Sequence, residues 1–409
     1  MASRTGPSSS TSPWEASADA TGFDRRSGWT GDRARPDAVA DGVRRSGRFE
    51  VAPGAKKSPM ARRVGILDVF GLRPLGPALK QSWAALAGDG YTPPTQFGPS
   101  SLRMFRPWVS LPLWLRRERG DGRVWVYNLF NRNPIPRDEG YSVKITDCRD
   151  FRGGQLTYDG HVGTDFAVPP GTPVRTCAPG VVRSVQKEMQ RGGLKVVVDH
   201  GDGLITHSNH LARALVRPGQ TLARGEVLGL SGMSSVDGIL FFPWLAPHLH
   251  LNVLLDGEPA DPFAPPGETP LWRTGNDPLP APPGDPGARG EPTRWDMAAV
   301  DAAIRSVLDP ELRRELEAID DPQAQGCAVA TARVFRYSAF GDHPRLVARP
   351  HGRRPRLDLP FDGYRGIVFA DDGSTPIPRG DSAAREPTGI DGISHDSRGG
   401  RRFAPKSRS

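Results

Sequence analysis

Two histidines separated by one residue stand in the run PHLHLNV, where His248 and His250 alternate with Leu249 and Leu251. If this run is a β-strand, side chains two residues apart point to one face, so both imidazoles lie together while the leucines point into a core. Two imidazoles on one face of a rigid strand can share a metal site, one as ligand and one as acid or base. Two surface histidines on a half-buried strand would show the same spacing, so the motif needs further donors.

Further donors stand in GHVGTDFAV, where His161 and Asp165 flank a bend that contains glycine. Imidazole and carboxylate are both zinc ligands. An aspartate that caps the backbone amides of a turn is the alternative interpretation. Together with His250 the pair makes a His, Asp, His set, and catalytic zinc sites typically use three protein ligands and leave the fourth position to water. A structural zinc site would more often use four ligands, including cysteine.

A further histidine comes from LITHSNHL. On a strand, Thr206, Ser208 and His210 share one face and His207 points away. We therefore expect His210 at the site and His207 in a structural or solvent-facing position.

Six of the nine histidines fall between His161 and His250, but clustering alone is a weak signal. His200 ends a strand before GDG, and we expect it to bond to the turn rather than bind metal. Trp244, close to the last two histidines, lines a substrate groove or belongs to the core.

The elements that carry these residues are short strands. Turn sequences such as PPG, APG, RGG, HGDG and RPG separate them, and no long helical pattern intervenes. This pattern predicts a mainly β domain over residues 151–265, an antiparallel sheet or partly open barrel. The predicted strands are HVGTDFAV, GTPVRTCA, GVVRSVQ, LKVVVDH, LITHSNHL, EVLGLSG and HLHLNVLL.

The rest of the chain is predicted to form mixed α/β flanking regions and disordered ends. LGPALKQSWAALA predicts a helix, WVSLPLWL and RVWVYNLF predict strands, and MAAVDAAIRSVLDPELRRELEAI predicts two short helices divided at Pro310. RLDLPFDGYRGIVFADDG predicts a few strands. The expected divisions are a disordered segment 1–60, a flanking region 61–150, the β domain 151–265, a Pro/Gly-rich linker 266–295, a small α/β region 296–372 and a disordered tail 373–409.

Composition and charge argue against a nucleic-acid-binding protein, a membrane-spanning protein and a disulfide-rich protein. The 409 residues carry a formal charge of +8, but the Arg-rich ends contribute much of it and no basic stripe interleaved with aromatics appears. Nucleic acid is therefore not an expected partner, and such a function would require salt-dependent binding to DNA. No apolar run reaches the length of a membrane span, and the N-terminus lacks the apolar centre of a secretory signal. Three scattered cysteines indicate no disulfide framework.

The ordered series HVGTDFAVPPGTPV, APGVV, GGLKVVVDHGDGLITHSNHL, VRPGQTLARGEVLGLSG and PHLHLNVLLDG resembles the lysostaphin and LytM-type (β-lytic) zinc endopeptidases. The resemblance implies a duplicated hybrid motif-like β fold with a groove across it. It implies that His161, Asp165 and His250 bind one zinc ion per catalytic domain and that His210 and His248 assist catalysis. The implied substrate is peptidoglycan or another peptide, cleaved outside the cytoplasm, although the missing signal leaves a cytoplasmic location open.

The chain departs from the family pattern in three places. Ser208 stands where the family often has Tyr, Asn252 follows the HLH motif where Glu is more frequent, and MSSVDGILFFPWLAP is bulkier than the usual Gly/Ser/Thr-rich loop. None of these changes removes a metal ligand. The alternative function is a non-catalytic LytM-like module that binds cell wall or regulates another hydrolase, and the oligomeric state is left open.

Overall fold

The computed structural model describes residues 62–91, 93–133, 140–189, 192–352, 354 and 356–372. The predicted disordered segments 1–60 and 373–409 lie outside these residues. The described part of the chain forms eleven strands in one sheet. The strands are β1 (Val124–Asn128), β2 (Thr164–Ala167), β3 (Pro173–Arg175), β4 (Gly180–Glu188), β5 (Gly193–Gly201), β6 (Leu204–Ala214), β7 (Thr221–Leu222), β8 (Val227–Ser231), β9 (His248–Leu255), β10 (Glu258–Pro259) and β11 (Ile367–Phe369).

The sheet is open, with the order β11-β1-β2-β9-β6-β5-β4-β7; β10 pairs with β9, and β8 pairs with both β3 and β6. Every pair is antiparallel except β1 with β11, which is parallel. All seven strands predicted in the β domain are present. The predicted mainly β, mostly antiparallel fold is therefore confirmed.

Seven α-helices flank the sheet in the described residues. The predicted helix over LGPALKQSWAALA is confirmed, and so are the two short helices divided at Pro310, which opens the second of them. A third helix after these two was not predicted. The helices are α1 (Ile66–Val69), α2 (Leu75–Ala87), α3 (Pro107–Trp114), α4 (Val236–Leu240), α5 (Met297–Ser306), α6 (Pro310–Glu317) and α7 (Pro322–Phe335). None of them combines the length and the apolar character that a membrane span needs.

The strand predicted over WVSLPLWL is wrong, because this run forms α3. Pro107 occupies the first helical turn, where its missing N–H costs nothing, and Val109 and Leu113 turn inward at helical spacing. The run is apolar except for Ser110, so it shows no clear period and the sequence could not separate a strand from a helix here.

Of the two other strand predictions in the flanking regions, one is confirmed and one is confirmed only in part. RVWVYNLF is confirmed as β1. In RLDLPFDGYRGIVFADDG only β11 is a strand, while Leu357 and Leu359 form isolated bridges to Trp272 and Pro280.

Packing crosses the predicted domain boundaries. The ring of Phe166 on β2 lies 6.0 Å from those of Trp272 and Phe361, and all three side chains are buried. A second buried cluster joins sheet residues such as Ile205 to residues of α5 and α7 such as Val300. The division of the chain at 150, 265, 295 and 372 stays a prediction, but the described residues share continuous cores.

His200 connects two strands through neutral hydrogen bonds. Its Nδ1–H donates to the carbonyl oxygen of Pro179 (3.0 Å), and its Nε2 accepts from the hydroxyl of Thr206 (2.9 Å). Burial lowers the pKa of His200 to about 4. The imidazole therefore serves the sheet in its neutral form, away from the other candidate site residues.

Phe361→Ala tests whether the C-terminal segment belongs to the same core as the sheet. Removing this buried ring should lower the free energy of unfolding by about 3–5 kcal/mol. The matched control Leu308→Ala removes an exposed side chain and should change it by less than about 0.5 kcal/mol. Denaturant unfolding measures both variants, and an equally small effect of Phe361→Ala would contradict a shared core.

His200 also predicts a pH dependence of stability. The folded pKa lies below the unfolded value of about 6.5, so the unfolded chain binds more protons between these values and stability falls as the pH drops from about 6.5 towards about 4. Each pH unit in this window costs up to about 1.4 kcal/mol. His200→Asn should reduce that slope in urea unfolding measured from neutral to acid pH, while His207, His210 and His250, whose pKa is also lowered, keep the remainder. An unchanged slope would contradict the assignment.

Candidate metal centre

The pairing of β2 with β9 brings together the donors that the sequence analysis selected. Asp165 lies directly opposite His250, and Ala167 lies opposite His248. Residues opposite each other in an antiparallel pair have their side chains on the same face, with Cβ atoms about 4.5–5.5 Å apart. His161 precedes β2 by three residues and reaches the same point from the bend.

Three donor atoms converge there. His161 Nε2 lies 3.2 Å from Asp165 Oδ1 and 3.2 Å from His250 Nδ1, and His250 Nδ1 lies 2.7 Å from Asp165 Oδ1. Zinc bound tetrahedrally at about 2.0–2.1 Å holds its ligand atoms about 3.3 Å apart. The separations in this structure are close to that value, and two imidazoles with one carboxylate suit zinc chemically. The three residues therefore fit a zinc ion.

Backbone and amide groups orient these side chains, and the sequence analysis did not identify them. The Nδ1–H of His161 donates to the carbonyl oxygen of Leu129 (2.6 Å), which turns the lone pair of Nε2 towards the centre. The Nδ2–H of Asn128 donates to Asp165 Oδ2 (2.8 Å), so that Oδ1 faces the histidines. The one available signal was a polar asparagine at the end of the apolar strand β1.

Asn252 and Gly163 border the centre on the side of His250. Asn252 Nδ2 lies 3.0 Å from His250 Nε2 and donates to the carbonyl oxygen of Val162. A Cβ on Gly163 would lie 2.7 Å from His250 Nε2, so only glycine lets the bend approach this imidazole.

Two more imidazoles lie beside the three donors. His248 donates from Nδ1 to the carbonyl oxygen of Ala246 (2.8 Å), and its Nε2 lies 3.6 Å from Asp165 Oδ1. The ring of His210 lies 4.9 Å from that of His248 and 5.7 Å from that of His250. All five candidate residues thus meet in one place, although their metal and catalytic roles stay predictions.

The electrostatics of the centre favour an ionised carboxylate at Asp165. Burial raises the pKa of Asp165, but the charges of His161 and His248 and hydrogen bonds from His161 and His250 outweigh burial and hold it well below its usual range. Burial lowers the pKa of His210 and His250, and in His210 the neighbouring histidines lower it further. A neutral imidazole has the lone pair that a metal ligand or a base requires.

Two side chains that the sequence analysis left open lie elsewhere. His207 is fully buried on the same face of the sheet as His250, since it lies opposite Asn252, and its ring is 5.6 Å from that of Phe335. Its Nε2 lies 3.3 Å from the Thr331 hydroxyl. It is structural and not solvent-facing. The expectation that Thr206, Ser208 and His210 share one face and His207 points away is wrong, because the positive φ of His210 (59°) breaks the strand alternation. Trp244 is half exposed, and its neighbours Phe241 and Leu245 line the groove instead.

The centre lies in a groove of about 370 Å³, and part of its wall comes from outside the β domain. Tyr141 belongs to the segment before the domain, and Phe335 and Tyr337 belong to the end of α7 and the turn after it. The Nζ of Lys195 lies 3.6 Å from the centre of the Phe335 ring, and Arg336 contacts Glu188 at 2.9 Å. These contacts connect the C-terminal wall to β4 and β5.

Comparison with known proteins assigns the β domain to a family. The model of peptidase family M23 matches residues 159–262. The peptidoglycan DD-endopeptidase ShyA of Vibrio cholerae serotype O1 is 40% identical over 102 residues, which cover 25% of this chain and 22% of ShyA. ShyB of the same organism, also a peptidoglycan DD-endopeptidase, is 38% identical over 149 residues, covering 34% and 33%. The chain thus spans about a fifth to a third of the length of the curated relatives it matches.

Solved structures of similar proteins include the catalytic domain of lysostaphin from Staphylococcus simulans. It is 22% identical, covers 33% of this chain and 85% of that domain, and has a TM-score of 0.24. A putative peptidase M23 from Pseudomonas aeruginosa is 39% identical, covers 25% of this chain and 41% of its own, and has a TM-score of 0.22.

The family match covers all five candidate residues, and both relatives share more than a third of their residues with this chain over the matched region. Residues 159–262 therefore belong to peptidase family M23, the family of the lysostaphin and LytM-type peptidases.

Proposed function

We propose that this protein is a zinc-dependent endopeptidase that hydrolyses peptide bonds of bacterial peptidoglycan, in the stem or the cross-bridge. The observation that carries the proposal is the convergence of His161 Nε2, Asp165 Oδ1 and His250 Nδ1 within 3.2 Å of one another. The names of the relatives, which are peptidoglycan DD-endopeptidases, support the substrate class. Such a substrate lies outside the cytoplasm, so we propose that the protein acts there.

His161, Asp165 and His250 would hold the metal. When bound, zinc supplies Lewis acidity, which polarises a scissile carbonyl and brings the pKa of water towards neutrality. The hydrogen bonds from Asn128 to Asp165 and from His161 to Leu129 keep the donors in the orientation this role requires. A preorganised donor set needs no rearrangement at the moment of binding.

His248 is suited to accept a proton from the attacking water. Its Nδ1–H is committed to the carbonyl oxygen of Ala246, so its Nε2 holds the lone pair and faces the centre. His210 lies across from it and would stabilise the developing oxyanion or donate a proton to the leaving amine. General acid–base assistance of this kind contributes about 10²–10⁴-fold.

Digestion of purified peptidoglycan, with mass analysis of the products, tests the reaction. We expect peptide-bond cleavage that a chelator abolishes and added zinc restores. His250→Ala and Asp165→Ala should each lose bound zinc and activity together, since each removes one of three ligands. His343→Ala, a change outside the groove, should keep both. Cleavage that persists after complete removal of metal would overturn the proposal.

His210→Ala tests the division between ligand and catalytic residue. The variant should retain stoichiometric zinc by metal analysis, while its turnover falls about 10²–10⁴-fold. His343→Gln, at a histidine outside the groove, should keep both zinc and turnover. If His210→Ala loses zinc as well, His210 is a ligand and the division is wrong.

A further inference from the structure

Large apolar side chains are exposed unevenly over the described residues. Of eighteen such side chains, fifteen lie in the two segments 62–115 and 234–247, which together make up a minor part of the chain. The second segment contains the bulky run GILFFPW that distinguishes this chain from its family. Single exposed apolar residues are ordinary, but a concentration of this kind marks an interaction surface.

Helix α3 presents one apolar stripe to solvent. Trp108, Leu111 and Leu115 follow the spacing i, i+3, i+7, which puts them on one side of the helix, and they are 62%, 38% and 67% exposed. The opposite side carries Val109 and Leu113, which are buried in the core. The exposed stripe is thus the outer face of a helix that is firmly packed.

The loop after α4 extends this stripe. The ring of Trp114 lies 5.0 Å from that of Phe242, and its Nε1–H donates to the carbonyl oxygen of Leu245 (3.0 Å). Phe242 and Trp244 are both about half exposed. We call the surface formed by these side chains the apolar face; its members are Trp108, Leu111, Leu115, Leu240, Phe242 and Trp244.

A second helix borders the apolar face. Phe70, whose ring lies 5.6 Å from that of Phe242, precedes α2 by a short connection. On α2, Leu75, Leu79 and Trp83 follow the spacing i, i+4, i+8 and are all exposed, Trp83 by 70%. Two short helices thus present stripes of leucine and tryptophan to solvent.

Basic side chains surround the apolar face. Arg116 and Arg117 follow α3 directly, and a guanidinium N–H of Arg116 donates to the carbonyl oxygen of Arg62 (3.3 Å), which brings Arg62 and Arg63 beside them. All four arginines are exposed. Residues 62–117 contain seven exposed basic residues, besides the buried Arg106, and two acidic residues. One of the acids, Asp68, contacts Arg73 and Arg213.

We propose that the apolar face is a docking surface for an anionic lipid bilayer. Short helices with leucine and tryptophan on one side and arginine at the border are suited to lie in the headgroup region. The indole ring has an apolar body and a polar N–H, which favours this interface. Anionic headgroups match the excess of positive charge, and each basic residue near such a surface strengthens binding about fivefold.

The apolar face and the groove share one loop, the segment after α4. Phe241 and Leu245 line the groove, while Phe242 and Trp244 of the same loop belong to the apolar face. A docked molecule would therefore hold its groove beside the membrane. This inference does not depend on the proposed peptidase activity, because it rests on other side chains.

Cosedimentation of the full chain with vesicles tests the proposal. The protein should bind vesicles of phosphatidylcholine with phosphatidylglycerol, bind those of phosphatidylcholine alone weakly, and lose binding at high salt. Leu115→Glu should reduce the affinity about tenfold or more, because a carboxylate replaces a leucine that docking would remove from water. Leu308→Glu, at an equally exposed leucine (57%) outside the apolar face, should bind as the wild type does.

A second variant and a measurement of oligomeric state complete the test of membrane binding. The double variant Arg63→Gln/Arg117→Gln should weaken binding to the anionic vesicles. Both side chains are exposed, so this variant still tests the proposal if Leu115→Glu does not fold. Absence of vesicle binding, or equal binding by wild type and Leu115→Glu, would overturn the proposal. So would light scattering that shows a wild-type dimer and a monomeric Leu115→Glu, because a second copy would then cover the face.

Discussion

The antiparallel pairing of β2 with β9 is the constraint on which the rest of this molecule depends. It puts the carboxylate of Asp165 opposite the imidazole of His250, and a shift of one residue would turn one of them to the other face. The pairing is secured from both sides, because β1 pairs with β2 and β6 pairs with β9 in the centre of the sheet. The donors therefore rest on interior strands of the sheet, which suits a preorganised metal site.

The flanking segments contribute to both the core and the groove. β1 supplies Asn128, which orients Asp165, and its neighbour Leu129 supplies the carbonyl group that orients His161. The end of α7 supplies one wall of the groove, held to the sheet by Glu188 and Lys195. The M23 region alone would carry the donors, but it would lack groups that orient them and side chains that shape the groove.

The same loop that closes one end of the groove also forms part of the apolar face. Phe241 and Leu245 turn inwards, and Phe242 and Trp244 turn outwards. A short segment with bulky residues at consecutive positions can supply both surfaces, whereas a loop of glycine and serine could supply neither. The departure from the family pattern thus has a physical consequence on each side of the loop.

The sequence by itself determined the local features of this protein. Strand alternation predicted that His248 and His250 share a face, since side-chain direction in a regular strand follows from the backbone. The same rule placed His207 and His210 wrongly, because the left-handed φ of His210 breaks the alternation and His207 lies on the face of His250. The tertiary structure decided which distant residues meet: Asp165 and His250 are 85 positions apart in the chain, and strand pairing brings them together. It also decided that 107–114 is a helix, because a run that is apolar except for Ser110 shows no clear period and packing against the sheet selects its conformation. The hydrogen bonds by which Asn128 and Leu129 orient Asp165 and His161 could not be predicted either. A backbone carbonyl or a single amide side chain has no sequence pattern that identifies its partner.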